Sequence, residues 1–498
     1  MKPPKHITIV GGGSAGWMTA NLLRHRWAKL DVEVTLIESA DVGTIGVGEG
    51  STPFLRHFFR TLGLAERDWM PACDATFKSS IRFPSWSGVP GYKSYVHPFF
   101  SEADRELGNQ FFTNACLRRR GQAADANPQD FFLAAELARQ RRAPLGTDYA
   151  YHFDAGKLGA LLRKHAVGLG VRHVVDTVVR VEQHENGDIA ALQLSSGARI
   201  EADLFVDCSG FKGLLITETL GEPFQPYRDN LFNDRAIAIA TPLVDGEDLP
   251  CETVSTALRH GWAWQIPLTT RYGNGYVYSS DFVGDDEAER ELREHLGVAA
   301  EGATARRLRM RVGRVRQHWR QNCVAIGLSQ GFIEPLEATA LMLIQLSVEQ
   351  FIAALEDDGF GRACQAAYNK RVNAMFEGVR DYVVAHYQLN TRRDTDYWRA
   401  NRANRNISDR LANLLDVWDR GGDFEAELER HDDALMYLRP SWYCLFAGMG
   451  RFPAELRPAP ASIDARAARS IIRKMASGFL PHRQALGQGP DCKAADLR

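Results

Sequence analysis

Residues 6–27 read HITIVGGGSAGWMTANLLRHRW, and Gly11, Gly13 and Gly16 fill G-x-G-x-x-G directly after an apolar run. The chemistry of that spacing is pyrophosphate binding. The first glycine permits a tight turn, the second lets the backbone approach a phosphate, and the third lets a helix pack on the strand. Ser14 and Ala15 open that helix, whose free N–H groups and partial positive charge face an anion. Glu38 closes VEVTLIES (32–39), roughly 20 residues beyond the last glycine, where a carboxylate accepts a ribose hydroxyl. A different chemistry is signalled by GWAWQIPL (261–268). Trp262 and Trp264 stand two apart, followed by Ile266 and Pro267. Each ring buries on the order of 200 Å², an unusual choice for a turn or surface strand. By residue type alone such a pair is ordinary core. Two acids, Glu334 and Glu337, sit in EPLEAT (334–339) just before an apolar helical run, where the macrodipole favours them.

These residues need a scaffold. The opening strand–turn–helix followed by the strand at 32–39 is half of a dinucleotide-binding unit. GDIAALQLSSGARIEADLFVDCSGF (187–211) reads as two alternating strands about a Ser-Gly turn, then a buried strand ending at Asp207. It resembles the return strand of two-dinucleotide-fold flavoproteins, which favours FAD over NAD. CVAIGLSQGFIEPLEAT (323–339) resembles the segment beside the flavin ring, with Gly327-Leu328 where many relatives carry Gly-Asp. A second nucleotide site is not found: GMGRFP (448–453) has no third glycine, and Pro453 opposes a continuing helix. Helical periodicity marks 341–358, 375–389 and 407–418, and the tail reads as a Pro/Ala linker, an outer helix, and a disordered end from 484.

Composition excludes other classes. The 498 residues carry a net charge of −2, so nothing marks nucleic acid or an anionic membrane as partner. The basic stretch 306–320 alternates with apolar residues and reads as a strand with a solvated face. No run reaches the ~20 apolar residues that span a bilayer. Eight scattered cysteines, none in C-x-x-C, suggest neither zinc nor a redox couple; no metal is expected, and the location expected is cytoplasmic.

The motifs GGGSAGW, VGEGSTP (47–53), GWAWQIP and GFIEPLEAT, with FKSSIRFPSW (77–86) and TRRDTDYW (391–398), resemble the flavin-dependent halogenases of the tryptophan halogenase family. The resemblance spans nearly the whole chain and implies an α/β fold. A two-dinucleotide-binding-type FAD (Rossmann-like) box would occupy 1–340 and a mostly helical substrate module 341–498. It implies FADH2 delivered by a separate NAD(P)H flavin reductase. Hypohalous acid would be made at the flavin from O2 and halide, then passed to an indole-like aromatic: tryptophan, free indole or a substituted indole. Gly11, Gly13, Ser14, Ala15, Gly16, Glu38, Val47, Gly48, Glu49 and Leu328 would hold FAD. Trp262, Trp264, Ile266 and Pro267 would keep organic substrates away from it.

Lys78 matches the family's catalytic lysine, and Glu337 the carboxylate that stabilises the cationic ring intermediate and receives its proton. An ammonium can hydrogen-bond hypohalous acid and make its halogen more electrophilic. A covalent haloamine would need the neutral amine, a shift from ~10.4 worth about 4 to 5 kcal/mol, which a nearby Glu337 opposes. The backbone N–H groups of Thr339 and Ala340 match the halide site. Ala340 stands where relatives often have glycine, which suggests a reshaped pocket in which bromide serves at least as well as chloride. His97 and Phe99 match positions flanking the indole, and Trp442, Tyr443 and Phe446 are further substrate candidates. The alternatives are a single-component FAD-dependent aromatic monooxygenase or oxidase, which needs an NAD(P)H route, and a non-catalytic flavin-binding protein, which has no use for Lys78 and Glu337.

Overall fold

The computed structural model describes residues 3–40, 48–244, 246–431, 435–458 and 464–488. Val47 and most of the end expected to be disordered (489–498) lie outside them. His482–Gln488, by contrast, is helical.

The G-x-G-x-x-G strand, His6–Val10, lies inside a six-stranded sheet. It pairs in parallel with Glu33–Glu38 on one side and Leu204–Asp207 on the other. Arg172–Val175 and Cys323–Ala325 extend that sheet in parallel. Parallel strands buried on both faces read as short apolar runs, and Ile7, Ile9, Val34, Leu36, Phe205 and Val206 are buried accordingly. Their carboxyl ends meet at the glycine turn, the place where open α/β sheets bind ligands.

A second sheet has seven strands, in the order Ala305–Arg309, Arg235–Thr241, Tyr272–Tyr278, Gly261–Pro267, Glu252–Ala257, Ser80–Pro84 and Ser94–Pro98. The tryptophan strand is therefore interior, not an edge. The basic stretch supplies the edge strand Ala305–Arg309. A small sheet (Gly48–Gly50, Ala150–Asp154, Thr76–Lys78) bridges the two halves.

The helical repeats appear as Ala340–Asp357, Gln365–Leu389 and Asp409–Asp419. Ala340–Asp357 packs back on Ser14–Arg26. Glu356 there accepts bonds from Arg26 and from Trp27 Nε1, at 2.6 and 2.9 Å. Core contacts thus run across residue 340. The C-terminal helix is more than an outer cover. Phe77 N–H donates to Nε2 of the buried His482 at 3.1 Å, and His482 Nδ1 donates to the Leu249 carbonyl at 3.1 Å. No helix among the described residues is long and apolar enough to cross a membrane, and the seven described cysteines are free thiols.

Candidate active site

The three glycines do different work. Gly11 has φ +116°, and a Cβ there would fall 2.1 Å from the Cys208 carbonyl oxygen. A Cβ on Gly16 would lie 1.9 Å from the Gly11 oxygen, so both positions are fixed by close backbone approach. Gly13 meets nothing within 4 Å, which leaves the open side of the turn for a ligand. The helix beginning at Ser14 has no side-chain cap and no acid in its first turn. Its N–H groups are free to face phosphate. Glu38 Oε1 accepts from His173 Nε2 at 2.7 Å, while Oε2 borders Gly12. Gly327 (φ +79°) sits against Ala15, and Leu328 follows it, half-buried, in the same turn. Gly48–Gly50 pairs with His152–Asp154, and burial together with Asp154 pushes the Glu49 carboxyl up to about 7. An open phosphate-sized turn, free N–H groups and an acid at the second strand's end fit FAD.

Trp262, Trp264 and Ile266 alternate onto one face of Gly261–Pro267. Trp264 lies over Gly275, where a Cβ would come 2.0 Å from its ring. The two indoles are 6.3 Å apart at 58° and buried, and the Trp264 N–H has no hydrogen-bond partner. Ile266 abuts Gly48, and the Pro267 carbonyl accepts from Thr76 Oγ1 at 2.7 Å. One strand thus touches both the cofactor-side segment and the strand that carries Lys78.

Lys78 is fully buried, and its Nζ donates to the Ser51 carbonyl at 2.9 Å. Phe99 lies beneath the Nζ, 5.4 Å to its ring centre. A Cβ at Gly50 would stand 3.3 Å from Nζ and 3.4 Å from Thr253 Oγ1, so the absent side chain keeps this corner open. Burial pushes Lys78 down to about 7, while the charge of Glu337 pulls the other way. The direction of the carboxylate's influence is as expected; the dominance of desolvation is not. An ammonium and a free amine are therefore both accessible near neutrality.

Glu337 sits in a 3-10 turn, Pro335–Glu337, and is buried between two histidines. Its Oε2 accepts from His97 Nδ1 at 2.8 Å, and Oε1 lies 3.0 Å from His386 Nε2. Burial raises this carboxyl, but His97 and then His386 outweigh it and hold it at about 2. Glu334 behaves oppositely. Burial lifts it to about 7 despite polar contact with Tyr387, Asn233 and Trp262. The motif's two acids are thus set apart by environment.

Thr339 is buried, and Ala340 is the exposed first residue of its helix. The backbone argument for Ala340 fails. The residue with positive φ is Ala338 (φ 55°), the left-handed exit of the turn. Ala340 is helical, so alanine there is unstrained and gives no reason to favour bromide.

Of the substrate candidates, His97, Phe99 and Trp442 gather near Lys78 and Glu337. Trp442 packs edge-on to Tyr382 at 4.9 Å, and Tyr382 stacks on Tyr437 at 3.6 Å. Phe446 touches the Trp442 ring at 6.3 Å, but it and Tyr443 face mainly the other way. Both rings pack on Trp418 and Phe424, and the Tyr443 hydroxyl donates to Glu425 at 3.0 Å. They are core between outer helices. Sequence reasoning missed Tyr382, His386, Tyr437 and Ser441. For Tyr382, His386 and Ser441 the signal available was polar residues inside apolar helical runs, which usually means core; Tyr437 lies ahead of its helix and carries no such signal.

A model of the tryptophan halogenase family matches residues 6–465. A tryptophan 6-halogenase, SttH, from Streptomyces toxytricini is 38 % identical over 491 residues, covering 92 % of this chain and 91 % of the relative. A tryptophan 7-halogenase, RebH, from Lentzea aerocolonigenes is 35 % identical, covering 91 % of each chain. The solved structure of BrvH, a flavin-dependent halogenase from Brevundimonas sp. BAL3, superposes with a TM-score of 0.84 at 34 % identity, covering 97 % of this chain and 99 % of that one. Matched by the family's model from residue 6 to residue 465 and by such relatives over almost its full length, the chain belongs to the tryptophan halogenase family of flavin-dependent enzymes.

Proposed function

We propose that this protein transfers an electrophilic halogen to an indole-like aromatic: tryptophan, free indole or a substituted indole. The relatives named above act at different ring positions, 6 and 7, so no position is carried over. The observation that supports the reading is the joint placement of Lys78 and Glu337. Both are buried, electrostatically coupled, and linked through one strand end, where His97 meets Glu337 and Phe99 meets Lys78.

Gly11, Gly13, Ser14, Ala15, Gly16, Glu38, Gly48, Glu49 and Leu328 would hold FAD. When bound and reduced by a separate NAD(P)H flavin reductase, FAD supplies the chemistry that converts O2 and halide into hypohalous acid. The N–H groups of Thr339 and Ala340 would hold the halide. Trp262 and Trp264 would stand between bound FAD and the Lys78 side and keep the aromatic on that side. As an ammonium, Lys78 hydrogen-bonds the oxidant's oxygen and assists departure of hydroxide as the halogen reaches the ring. Glu337, ionised at all ordinary pH, stabilises the ring cation and faces its proton. His97, Phe99 and Trp442 would flank the aromatic.

The test is mass spectrometry of an indole library incubated with protein, FAD, NADH, a flavin reductase, O2 and either chloride or bromide. Halogenated product that requires the reductase supports the reading. Rapid NADH oxidation by the protein alone, with hydroxylated product, replaces it with a monooxygenase.

A further inference from the structure

We propose that Thr253 is a second anchor for hypohalous acid: its hydroxyl oxygen accepts the oxidant's O–H while the Lys78 ammonium donates to the oxidant's oxygen. The proposal rests on the halogenase reading and adds a residue to the place where the oxidant is held for the ring.

The two groups share one corner, and Gly50 leaves it open. A Cβ on Gly50 would stand 3.3 Å from Lys78 Nζ, 3.4 Å from Thr253 Oγ1 and 3.5 Å from His152 Cδ2. Across the small sheet Gly50 pairs with His152, and His152 pairs with Thr76. Thr253 reaches the corner from the strand Glu252–Ala257. Lys78, His152 and Thr76 are fully buried, and Thr253 nearly so. Lys78 gives one of its three ammonium hydrogens to the Ser51 carbonyl, so two remain for a guest.

Hydrogen inventory fixes what Thr253 offers. The Pro267 carbonyl can only accept, so its 2.7 Å bond from Thr76 Oγ1 uses the one hydrogen of that hydroxyl. The 3.1 Å contact between Thr76 Oγ1 and His152 Nδ1 therefore carries the hydrogen of the ring. Burial, with Lys78 and then His482 adding to it, holds the His152 ring well below its usual range. The ring is thus neutral, and Nε2 accepts. The 2.9 Å bond at Nε2 then takes the Thr253 hydrogen. Donation runs one way, from Thr253 to His152, to Thr76, to Pro267. The Thr253 oxygen is left with lone pairs, beside an ammonium that has only hydrogens.

Hypohalous acid carries one hydrogen and oxygen lone pairs, the complement of that pair. A single hydrogen bond from Lys78 leaves the oxygen–halogen bond free to swing about it; a second, to Thr253, fixes its direction. The halogen goes to the ring carbon, and the electron pair of the oxygen–halogen bond stays on oxygen. That oxygen takes a proton from Lys78 and leaves as water. The ring C–H bond breaks, its electron pair restores aromaticity, and the proton goes to Glu337; its return to Lys78 resets both groups. The net change is arene plus hypohalous acid to haloarene plus water, and Thr253 neither gains nor loses a proton.

The test compares Thr253→Val, which keeps the shape and deletes the hydroxyl, with Thr253→Ser, which restores it. Indole is halogenated with reductase, O2 and halide, while a small thioether reports oxidant that escapes the site. Thr253→Val should form oxidant as the wild type does and keep the wild-type KM for indole. Its halogenation at saturating indole should fall on the order of 10-fold, the worth of one buried hydrogen bond. The ratio of sulfoxide to haloindole should rise, and Thr253→Ser should return both toward wild type. Wild-type halogenation by Thr253→Val, a change in KM alone, or a Thr253→Ser as impaired as Thr253→Val overturns the proposal. A second measurement stands even if the variants lose FAD: ¹⁵N NMR of histidine-labelled wild type without flavin. His152 should carry its hydrogen on Nδ1, with Nε2 bare, from about pH 8 down to about pH 6. A hydrogen on Nε2 overturns it. Wild type that makes neither oxidant nor haloindole instead sinks the halogenase reading.

Discussion

Replacing Lys78 with methionine removes a charge while keeping an unbranched chain of similar length in a fully buried slot. Burial lowers the lysine from 10.5 to about 7, which corresponds to roughly 5 kcal/mol of disfavoured ammonium. Between those two values the unfolded chain holds a proton that the folded chain has released. Wild-type stability therefore rises with pH across this window, and the full penalty is felt below about 7. Methionine carries no such penalty but abandons the bond to the Ser51 carbonyl, a loss of about 1 kcal/mol. Glu337 is not stranded, because His97 and His386 remain beside it. Lys78→Met should thus be more stable than wild type by about 4 kcal/mol at pH 6, with the advantage fading toward pH 10. Unfolding entropy for a chain of this size is on the order of 1 kcal/mol per kelvin, so calorimetry at pH 6 should show a Tm higher by about 4 °C. The same variant should still generate thioether-trappable oxidant but give no halogenated indole. A variant less stable than wild type at pH 6, or an advantage that grows with pH, refutes the assignment of Lys78 as a desolvated cation.

Glu334→Gln should flatten the pH dependence of stability. With its carboxyl raised from 4.5 to about 7, the folded state keeps a proton that the unfolded state loses, so wild-type stability falls by roughly 3 kcal/mol as pH climbs through that window; denaturant titrations at pH 5 and 8 measure it. Trp264→Ala should cost about 3 to 5 kcal/mol and raise the ratio of trapped sulfoxide to halogenated indole, as the ring over Gly275 is lost. Ala340→Gly should leave the bromide-to-chloride product ratio unchanged, because Ala340 is already helical; a competition with both halides checks it. Tyr443→Phe should lower stability by about 1 kcal/mol through the Glu425 bond and leave the KM for indole unchanged, whereas Trp442→Phe should move that KM.

What could be read from the chain beforehand was what local periodicity encodes. The glycine turn, the alternation of Trp262, Trp264 and Ile266, and the helices after 340 each carry their pattern within one element. The site is less legible where it depends on contacts between elements. His386 lies 49 positions beyond Glu337, inside an apolar helical run, and nothing in its own neighbourhood distinguishes it from core. Trp442 and Phe446 share a helix face by spacing, yet the helix is buried all round, and the second ring, a turn further along, meets different helices. The influence of Glu337 on Lys78 followed from the family resemblance, which sets the two side by side, and from the sign of the charge. The larger effect, desolvation, depends on Gly48–Gly50 and Glu252–Ala257 closing over the lysine. The left-handed residue of EPLEAT fell on Ala338, an alanine that gives no glycine-like sign of its conformation.

The bond from Phe77 to His482 joins positions 405 residues apart, and it gives the molecule an order of events. The strand carrying Lys78 leaves the ribosome well before its partner, and one of its backbone donors has no partner until residue 482 has been made. A chain interrupted before residue 482 leaves the lysine strand without this brace. The Lys78 strand thus owes its brace to a segment made long after it.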